Sequence, residues 1–534
     1  MGVPRLRQLL EPYAEHVDLK DRDLVIDGPG LAYHILWYDR KPVSSLFSRP
    51  SYSELGEAAV KWLNKLSQSG AKVVAIYFDG YLPSAKEPER KRRLLDMSNG
   101  LRTYFSLHPS GVPRTGPSNT KQPGIKKLPT PSFLVPAVLE ALCASEKYAP
   151  VTKLVPGEAD IFCARHVHSS RGMIITSDSD LLAHDLGREG SVTFFPSIQF
   201  DSHARKVKAT VSEYSPWRIC ERLSIPHEKG LSPIAFQVSI DPQVSLQRAI
   251  QLAKQQANSE TSVPEHAAFV GQYLSPEIME DVSLAPISGR LLDPRISELM
   301  LKFLLSDRTD AVEAEDSANQ DKLEVPMYLP FLADSPSRTS AWELCVELVG
   351  NLGKIRACVT DPRLQWTMLA ISQEIKWSEE HGKNSTLSLD MLQAEANGTL
   401  DVGSWDFVHL HAEVQGAYYS LRMIQQVCEF VSRDHSPSDN LARLQTEIGC
   451  LSLLDGLPSI SDFATLFGMI RASVSLSKLV MTLELGEEVA GKVQSIINPK
   501  EKKRKRQARS DGQKDSPVKT GRPSNNPFEL LGGG

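Results

Sequence analysis

Short apolar runs separated by helical patterns dominate the first 240 residues of the chain. Runs of four to eight β-branched and aliphatic residues are typical of buried strands, while the apolar spacing of residues 53–68 is typical of a helix. Strands that alternate with helices favour a mostly parallel sheet whose two faces are both covered. We therefore predict an α/β fold with a parallel-sheet core. The predicted strands lie at 24–26, 73–78, 152–155, 173–176 and 192–195.

Acidic residues follow four of these predicted strands. The carboxyl ends of parallel strands meet at one edge of a sheet, so acids placed there are expected to lie close together. The third of these strands is followed by the segment VPGEAD, which opens a helical pattern and contributes two of the acids. The predicted cluster consists of Asp27, Asp79, Glu158, Asp160, Asp178 and Asp180.

Six neighbouring carboxylates cannot all stay ionised without a compensating cation. Mg²⁺ and Mn²⁺ prefer oxygen ligands, so we predict one of these metals, bound as two ions. Such a pair suits in-line hydrolysis of a phosphodiester. A single aspartate at a strand end is also a common helix cap. The agreement of four segments favours the metal site.

Basic residues follow the second acidic strand end. In the segment GYLPSAKEPERKRRLL, Lys86, Arg90 and Arg93 share one helical face, and Arg92 lies beside them. Side chains there could reach a scissile phosphate and offset its charge. A solvated surface helix is the alternative interpretation of this segment.

An acid-free stretch from Met97 to Leu139 interrupts the α/β pattern. Its prolines exclude one regular helix, so we predict a basic Pro/Gly loop at 97–132 that gates a single strand. The residues predicted to bind nucleic acid in this loop are Arg102, Arg114, Lys121, Lys126 and Lys127.

The second half of the chain has a different character. Residues 306–326 carry seven acids and two bases and predict a solvated linker within a connecting region, 241–335. Helical spacing then predicts a helical C-terminal domain at 336–495, with helices at 340–358, 362–378, 405–433 and 460–495. A disordered basic tail is predicted at 496–534. Its run of Lys502, Lys503, Arg504, Lys505 and Arg506 favours a nuclear localisation signal.

The overall composition limits the class of partner. The 534 residues carry a formal net charge of −5, so a uniformly basic nucleic-acid binder is excluded and any such surface must be local. The seven cysteines are scattered without a C-x-x-C pair, and this pattern argues against a zinc site or a disulfide framework. No run of 18 uncharged apolar residues is present, so we expect no membrane partner.

These motifs together resemble the XPG/flap endonuclease superfamily, whose nuclease core is PIN-like. The start MGVPRLRQLL resembles the family's N-terminus, and the resemblance places Gly2 near the DNA junction. VIDGPG, YFDG, PGEAD and TSDSD resemble the family's acidic motifs, which implies that the six acids named above hold the metal ions. Lys86 and Arg93 fall where the family has a catalytic basic pair. The resemblance covers residues 1–200.

Two departures from the family pattern narrow the resemblance. No Gly-rich duplex-binding element follows residue 200, and Asp241 is the nearest match to a further family acid. The helical C-terminal half has no counterpart in flap endonucleases. This combination resembles the Asteroid branch of the superfamily.

The resemblance implies a nuclear, Mg²⁺- or Mn²⁺-dependent endonuclease acting on branched or single-strand-ended DNA in repair or replication. Protein partners through the C-terminal half are also expected. Two alternatives stay open at this point. One is a catalytically inactive scaffold that retains the fold and binds nucleic acid or protein, and the other is an RNA-cleaving PIN-type enzyme.

Overall fold

The computed structural model divides into two compact units. The first unit contains Met1–Pro42, Tyr52–Pro88 and Phe133–Glu315, and the second contains Val43–Ser51, Glu89–Ser132 and Asp316–Gly534. The structure describes residues 2–38, 49–80, 103–112, 133–155, 157–201, 207–227, 230–257, 264–273, 351–357, 387–412 and 459–472, with shorter stretches and single residues between them.

A parallel five-stranded sheet forms the centre of the first unit. The strand order is β4-β3-β2-β5-β6, and every neighbouring pair runs parallel. Each predicted apolar run forms one of these strands, so the predicted α/β fold class is confirmed. The strands are β1 (Glu15–Asp18), β2 (Asp23–Asp27), β3 (Lys72–Asp79), β4 (Thr152–Val155), β5 (Met173–Thr176), β6 (Ser191–Phe194), β7 (Gln199–Asp201) and β8 (Lys208–Glu213).

The order in which the chain adds strands to this sheet changes direction at β2, although all five strands run parallel. From β2 the chain moves to β3 on one side and later crosses to β5 on the other. In the register of β2 and β5, Ile26 pairs with Ile175, so Asp27 and Thr176 follow at neighbouring positions. Ligands of open α/β sheets bind at the carboxyl ends of strands where the order reverses in this way.

Helices cover the sheet of the first unit. The predicted helix at 53–68 is observed as α3, which buries Leu55, Ala59, Trp62 and Leu66 along one stripe. The numbered helices of this unit are α1 (Leu6–Leu10), α2 (Gly28–Trp37), α3 (Tyr52–Gln68), α4 (Leu134–Ala144), α5 (Ala159–Ser170), α6 (Pro216–Leu223), α7 (Ser232–Ile240), α8 (Leu246–Ala257) and α9 (Pro264–Tyr273). Short 3-10 helices lie at Glu11–Tyr13, Ala149–Val151, Ser179–Leu182 and Phe195–Ser197.

A small antiparallel sheet was not expected from the sequence. Its order is β1-β8-β7, and β1 pairs with β8 in the register Glu15 to Glu213. This pairing fixes the N-terminal segment against the rest of the first unit.

The core of the first unit continues beyond residue 240. Val244, Ala249 and Tyr273 belong to the same buried cluster as Val25 and Ile174 of the central sheet. Helices α8 and α9 therefore pack as part of the α/β unit, although they lie within the stretch 241–335 that the sequence predicts as a connecting region.

The second unit contains helices from the C-terminal half of the chain. Two of them are α10 (Leu387–Ala396) and α11 (Ile460–Ala472). Described helical residues at 351–357 and 405–412 fall inside predicted helices, whereas α10 lies between them. The predicted acidic linker 306–326 and the tail 496–534 lie outside the described residues. Among the helices that the structure describes, none is long and apolar enough to cross a bilayer.

Part of the predicted basic loop packs within this second unit. Residues 103–107 are helical, and the Trp405 indole donates to the carbonyl of His108 at 2.8 Å. The Tyr104 and Phe105 rings lie 6.0 and 5.0 Å from the Trp405 ring. The described part of this insertion is therefore a packed element, while most of 113–132 lies outside the described residues.

The close approach of Gly80 to β4 generates a stability prediction. A Cβ at Gly80 would overlap the backbone carbonyl oxygen of Val155, which cannot swing aside as a side chain could. We expect Gly80→Ala to lower the free energy of unfolding by about 1–3 kcal/mol, measured by urea unfolding. The matched control is Gly271→Ala in α9, where the added Cβ meets nothing within 4 Å and helix propensity favours alanine. A control that loses as much stability as Gly80→Ala would contradict this explanation.

Candidate active site

Asp27 lies at the carboxyl end of β2 and is 6% exposed. Its Oδ1 accepts a hydrogen bond from the Gly30 amide at 3.0 Å and caps α2. Its Oδ2 accepts from the Thr176 hydroxyl at 2.7 Å. The helix-cap interpretation of this residue is therefore correct, and the cap coexists with a place in the acid cluster described below.

Asp79 and the start of α5 meet at the next strand end. The Ala159 amide donates to Asp79 Oδ1 at 2.7 Å. Glu158 occupies the N-cap position of α5 without a side-chain capping bond, and Asp160 lies in the first turn. The three acids therefore share one corner of the sheet edge.

Asp178 caps the 3-10 helix that contains Asp180. Its Oδ1 accepts from the Asp180 amide at 3.1 Å, and its own amide donates to the Thr176 hydroxyl oxygen at 2.9 Å. Thr176 thus bridges Asp27 and Asp178 through one hydroxyl group.

The N-terminal segment lies directly on this edge. The Val3 amide donates to Asp180 Oδ1 at 2.5 Å, and the Ser179 hydroxyl donates to the Val3 carbonyl at 2.9 Å. Gly2 has a φ of 89°, and a Cβ there would overlap Asp178 Oδ1. Glycine is therefore required at this position by both backbone conformation and space.

The electrostatics show that the predicted acids act on one another. Burial raises the pKa of Asp160 well above its ordinary value, and the charges of four other acids raise it further. Burial also raises the pKa of Asp27, against the hydrogen bonds from Gly30 and Thr176 that lower it. The acids whose charges act on Asp160 are Asp27, Asp178, Asp79 and Glu158.

Cys163, on α5, lies beneath this cluster and is fully buried. Burial, followed by the charges of Asp27, Asp160 and Asp79, raises the pKa of its thiol well above the ordinary value. A thiol held neutral in this way is a poor nucleophile. Cys163 therefore contributes packing to the site.

The donor set fits a hard divalent cation in its chemistry. It offers carboxylate oxygens, the ligands that Mg²⁺ and Mn²⁺ prefer, and the repulsion among them is relieved by a cation. In the part of the chain that the structure describes, however, no group of three or more His, Cys, Asp or Glu side chains is arranged to hold a metal ion.

Of the predicted basic residues between 86 and 127, the structure describes Arg92 and Arg93. Arg92 and Arg93 are exposed in the second unit, and Arg92 pairs with Asp96 at 2.7 Å. Asp241 follows α7 and accepts a hydrogen bond from the Gln243 amide at 2.9 Å. The predicted residues outside the described part of the chain are Lys86, Arg90, Arg102, Arg114, Lys121, Lys126, Lys127, Lys502, Lys503, Arg504, Lys505 and Arg506.

Three groups at the site were not predicted. Thr176 lies inside the motif TSDSD, so its nearness to Asp178 was a usable signal. The Val3 amide is a backbone group and leaves no mark in the sequence. Burial and then the charges of Asp180 and Asp178 raise the pKa of Tyr273, the last residue of α9, and nothing in the surrounding sequence indicates that this residue lies near the acids.

Comparison with known proteins relates part of this chain to one family. A family model described as "XPG domain containing" matches residues 130–350, which include α5, β5 and α9. This segment is therefore similar to the XPG domain, and the resemblance indicated by the acidic motifs is confirmed.

The chain is also similar to Asteroid homolog 1 of Schizosaccharomyces pombe. The two are 28% identical over 193 residues, which is 35% of this chain and 31% of that protein. The chain thus matches about a third of the length of this relative. The resemblance to the Asteroid branch is confirmed.

Two solved structures also align with the chain. Human GEN1, in complex with Holliday junction DNA, is 14% identical with a TM-score of 0.27, covering 47% of this chain and 55% of GEN1. The catalytic core of Rad2, in complex with DNA substrate, is 15% identical with a TM-score of 0.28, covering 58% of this chain and 95% of that core.

The raised pKa of Asp160 generates a pH-dependent stability prediction. The folded state disfavours the ionised Asp160 carboxylate. The free-energy cost of ionising this group is absent below the ordinary pKa of 3.8 and grows as the pH rises toward the raised pKa of the folded state. In the presence of a chelator, Asp160→Asn should therefore raise the melting temperature at pH 8, which corresponds to a gain on the order of 1 kcal/mol in the free energy of unfolding. At pH 4 the melting temperature should change little.

Glu57→Gln is the matched control for this measurement. Glu57 forms an exposed pair with Lys61 at 2.9 Å, and such pairs contribute little. Its melting temperature should stay close to that of the wild type at both pH values. An equal gain by Asp160→Asn at pH 4 and pH 8 would show that charge is not the cause.

Proposed function

We propose that this chain is a divalent-metal-dependent, structure-specific endonuclease that hydrolyses phosphodiester bonds in branched or single-strand-ended DNA, in repair or replication. The observation that carries the proposal is the group of mutually repelling carboxylates at the carboxyl edge of a parallel sheet, within a chain that carries an XPG domain.

The site acids would hold the ions and the attacking water. Bound Mg²⁺ or Mn²⁺ lowers the pKa of a water molecule and offsets charge on the phosphate. The residues proposed to hold them are Asp27, Asp79, Glu158, Asp160, Asp178 and Asp180. Hydrogen bonds from Thr176 and from the Val3 and Ala159 amides orient three of these carboxylates before any ion binds.

Basic groups would hold the nucleic acid. We assign Lys86 and Arg93 to the scissile phosphate, because cations there offset the charge that develops during hydrolysis. Contacts from the basic insertion and from Gly2 would position the backbone and carry no base specificity. The proposed DNA contacts are Gly2, Arg90, Arg92, Arg102, Arg114, Lys121, Lys126 and Lys127.

The decisive experiment is cleavage of labelled substrates by the full chain with Mg²⁺ or Mn²⁺. Asp178→Asn keeps the oxygen that accepts from the Asp180 amide but removes the charge, so it should lower the rate by about 100-fold or more. Lys86→Gln should lower the rate while leaving Mn²⁺ affinity unchanged, and Glu57→Gln should cleave like the wild type. Undiminished cleavage by Asp178→Asn would refute the assignment.

A panel of substrates separates the proposal from its rivals. DNA flaps, DNA ends and RNA hairpins are compared under the same conditions. Preferential cleavage of RNA would favour the PIN-type ribonuclease. The scaffold alternative draws support from the absence of a Gly-rich duplex-binding element after residue 200 of the sequence. It would be favoured by wild-type protein that neither cleaves any substrate nor binds Mn²⁺ in calorimetry.

We further propose that the chain is nuclear. The proposal rests on the basic run of Lys502, Lys503, Arg504, Lys505 and Arg506. A fluorescent fusion of the full chain should concentrate in the nucleus, and replacing these five residues with glutamine should disperse it, because import receptors read clustered positive charge. Unchanged nuclear signal in the replaced protein would exclude this run as the signal.

A further inference from the structure

Trp405 lies where the basic insertion contacts the C-terminal half of the chain, within the second unit. The Trp405 indole donates to the carbonyl of His108 at 2.8 Å, and the Val112 amide donates to the carbonyl of Gly403 at 2.7 Å. The first of these bonds joins residues that are 297 positions apart in the chain. Two hydrogen bonds in opposite senses limit the rotation of the insertion more than one bond would.

Aromatic packing surrounds these hydrogen bonds. The rings of Tyr104 and Phe105 lie 6.0 and 5.0 Å from the Trp405 ring, and the His108 ring lies 4.7 Å from the ring of Tyr104. Tyr104 is 3% exposed and Val112 is 4% exposed. Ring pairs at such distances stabilise a contact beyond the burial of area alone. The described part of the insertion therefore buries its own side chains within the second unit.

The C-terminal side of this contact is itself fixed. The Ser404 hydroxyl oxygen accepts from the Phe407 amide at 3.3 Å and so caps the helical residues 405–412. Phe407 is fully buried, and its ring lies 5.1 Å from the ring of Phe463 in α11. Trp405 is therefore the first residue of a capped helix that is anchored in the helical core of the second unit.

Two exposed cations, Arg92 and Arg93, precede the packed aromatic residues in the same unit. Every described residue from 92 to 107 is helical. The Thr103 hydroxyl donates to the carbonyl of Asn99 at 2.7 Å, one helical turn toward the arginines. The aromatic packing therefore limits where the two cations can lie. Cations on an element that is ordered before binding lose less entropy when they contact a phosphate.

We infer that Trp405 is a positioning residue for nucleic-acid binding: by fixing the insertion, it sets the location from which Arg92 and Arg93 reach the phosphate backbone. The inference rests on the proposed function, because that function assigns both arginines to DNA. Trp405 acts through the insertion and is assigned no contact with the substrate. The C-terminal helical half of the chain thereby takes part in substrate binding.

The first test measures binding of a labelled DNA flap to the full chain in the presence of a chelator, so that cleavage does not interfere. Trp405→Ala should weaken binding by about 10-fold, because the arginines must then be ordered at the moment of binding. The dependence of affinity on salt should also become shallower, because fewer phosphates are neutralised. Trp405→Phe keeps a ring beside Phe105 and removes the donor to His108, so its loss of affinity should be smaller.

Gln365→Ala is the matched control for a general loss of stability in the second unit. The Gln365 side chain is buried and donates to the carbonyl of Val359 at 2.7 Å, so this variant also removes a bond from a side chain to a backbone carbonyl. It should bind the flap like the wild type. An equal loss of affinity in Gln365→Ala and Trp405→Ala would overturn the inference. If Trp405→Ala does not fold, Trp405→Phe takes its place in this comparison.

The second test measures whether Trp405 acts through the two arginines. Trp405→Ala is combined with the double replacement Arg92→Gln and Arg93→Gln, and the affinity for the same flap is measured. Changes that act through one contact do not add, so in the chain without these two cations Trp405→Ala should weaken binding by less than about 2-fold. A further loss of about 10-fold in that background would overturn the inference.

The outcomes separate the inference from the proposed function. Wild-type protein that binds the flap together with a Trp405→Ala variant of equal affinity would overturn the inference alone. Wild-type protein that binds the flap but does not cleave it with Mg²⁺ or Mn²⁺ would overturn the proposed activity, while weaker binding by Trp405→Ala would still support the inference. Wild-type protein that binds no DNA would overturn both.

Discussion

Repulsion between carboxylates is the constraint around which the first unit is organised. The charges of four acids act on Asp160, and burial strengthens each of these interactions. The four acids are Asp27, Asp79, Glu158 and Asp178. Without compensation, such a cluster costs free energy that a marginally stable domain can hardly supply. The hydrogen bonds from Gly30, Thr176, Val3 and Ala159 offset part of this cost. A divalent cation would offset much of the remainder, which is the role that the proposed function gives to it.

The sequence predicted the sheet and the acid cluster because both follow from simple physical rules. Buried parallel strands need continuous apolar runs, as in 73–78, and their carboxyl ends converge regardless of the details of packing. The same rules are silent about β1 and β8. Four-residue β1 has no long apolar run, and its pairing with β8 joins residues almost 200 positions apart in the chain. Only the folded chain brings such segments together.

The basic insertion shows a second limit of sequence analysis. Residues 97–132 contain several prolines and no acids, and these two features predict a loop. Tyr104 and Phe105, however, supply aromatic surface that packs on Trp405 in the second unit. A contact between residues 300 positions apart leaves no periodic pattern, so local composition could not predict it. The hydrogen bond from Thr176 to Asp27 was missed for the same reason, although both residues lie in visible motifs.

The bond between Val3 and Asp180 also bears on how the protein is made. Its partners are 177 residues apart, and the small sheet joins β1 to β8 over a similar distance. During synthesis on the ribosome, the N-terminal segment must therefore wait until Asp180 and β8 have emerged before these contacts can form. Domains generally fold as units as the chain is synthesised, and long-range pairings form slowly. A growing chain that ends before β8 has no partner for β1, so the N-terminal segment is fully fixed only after most of the first unit has emerged.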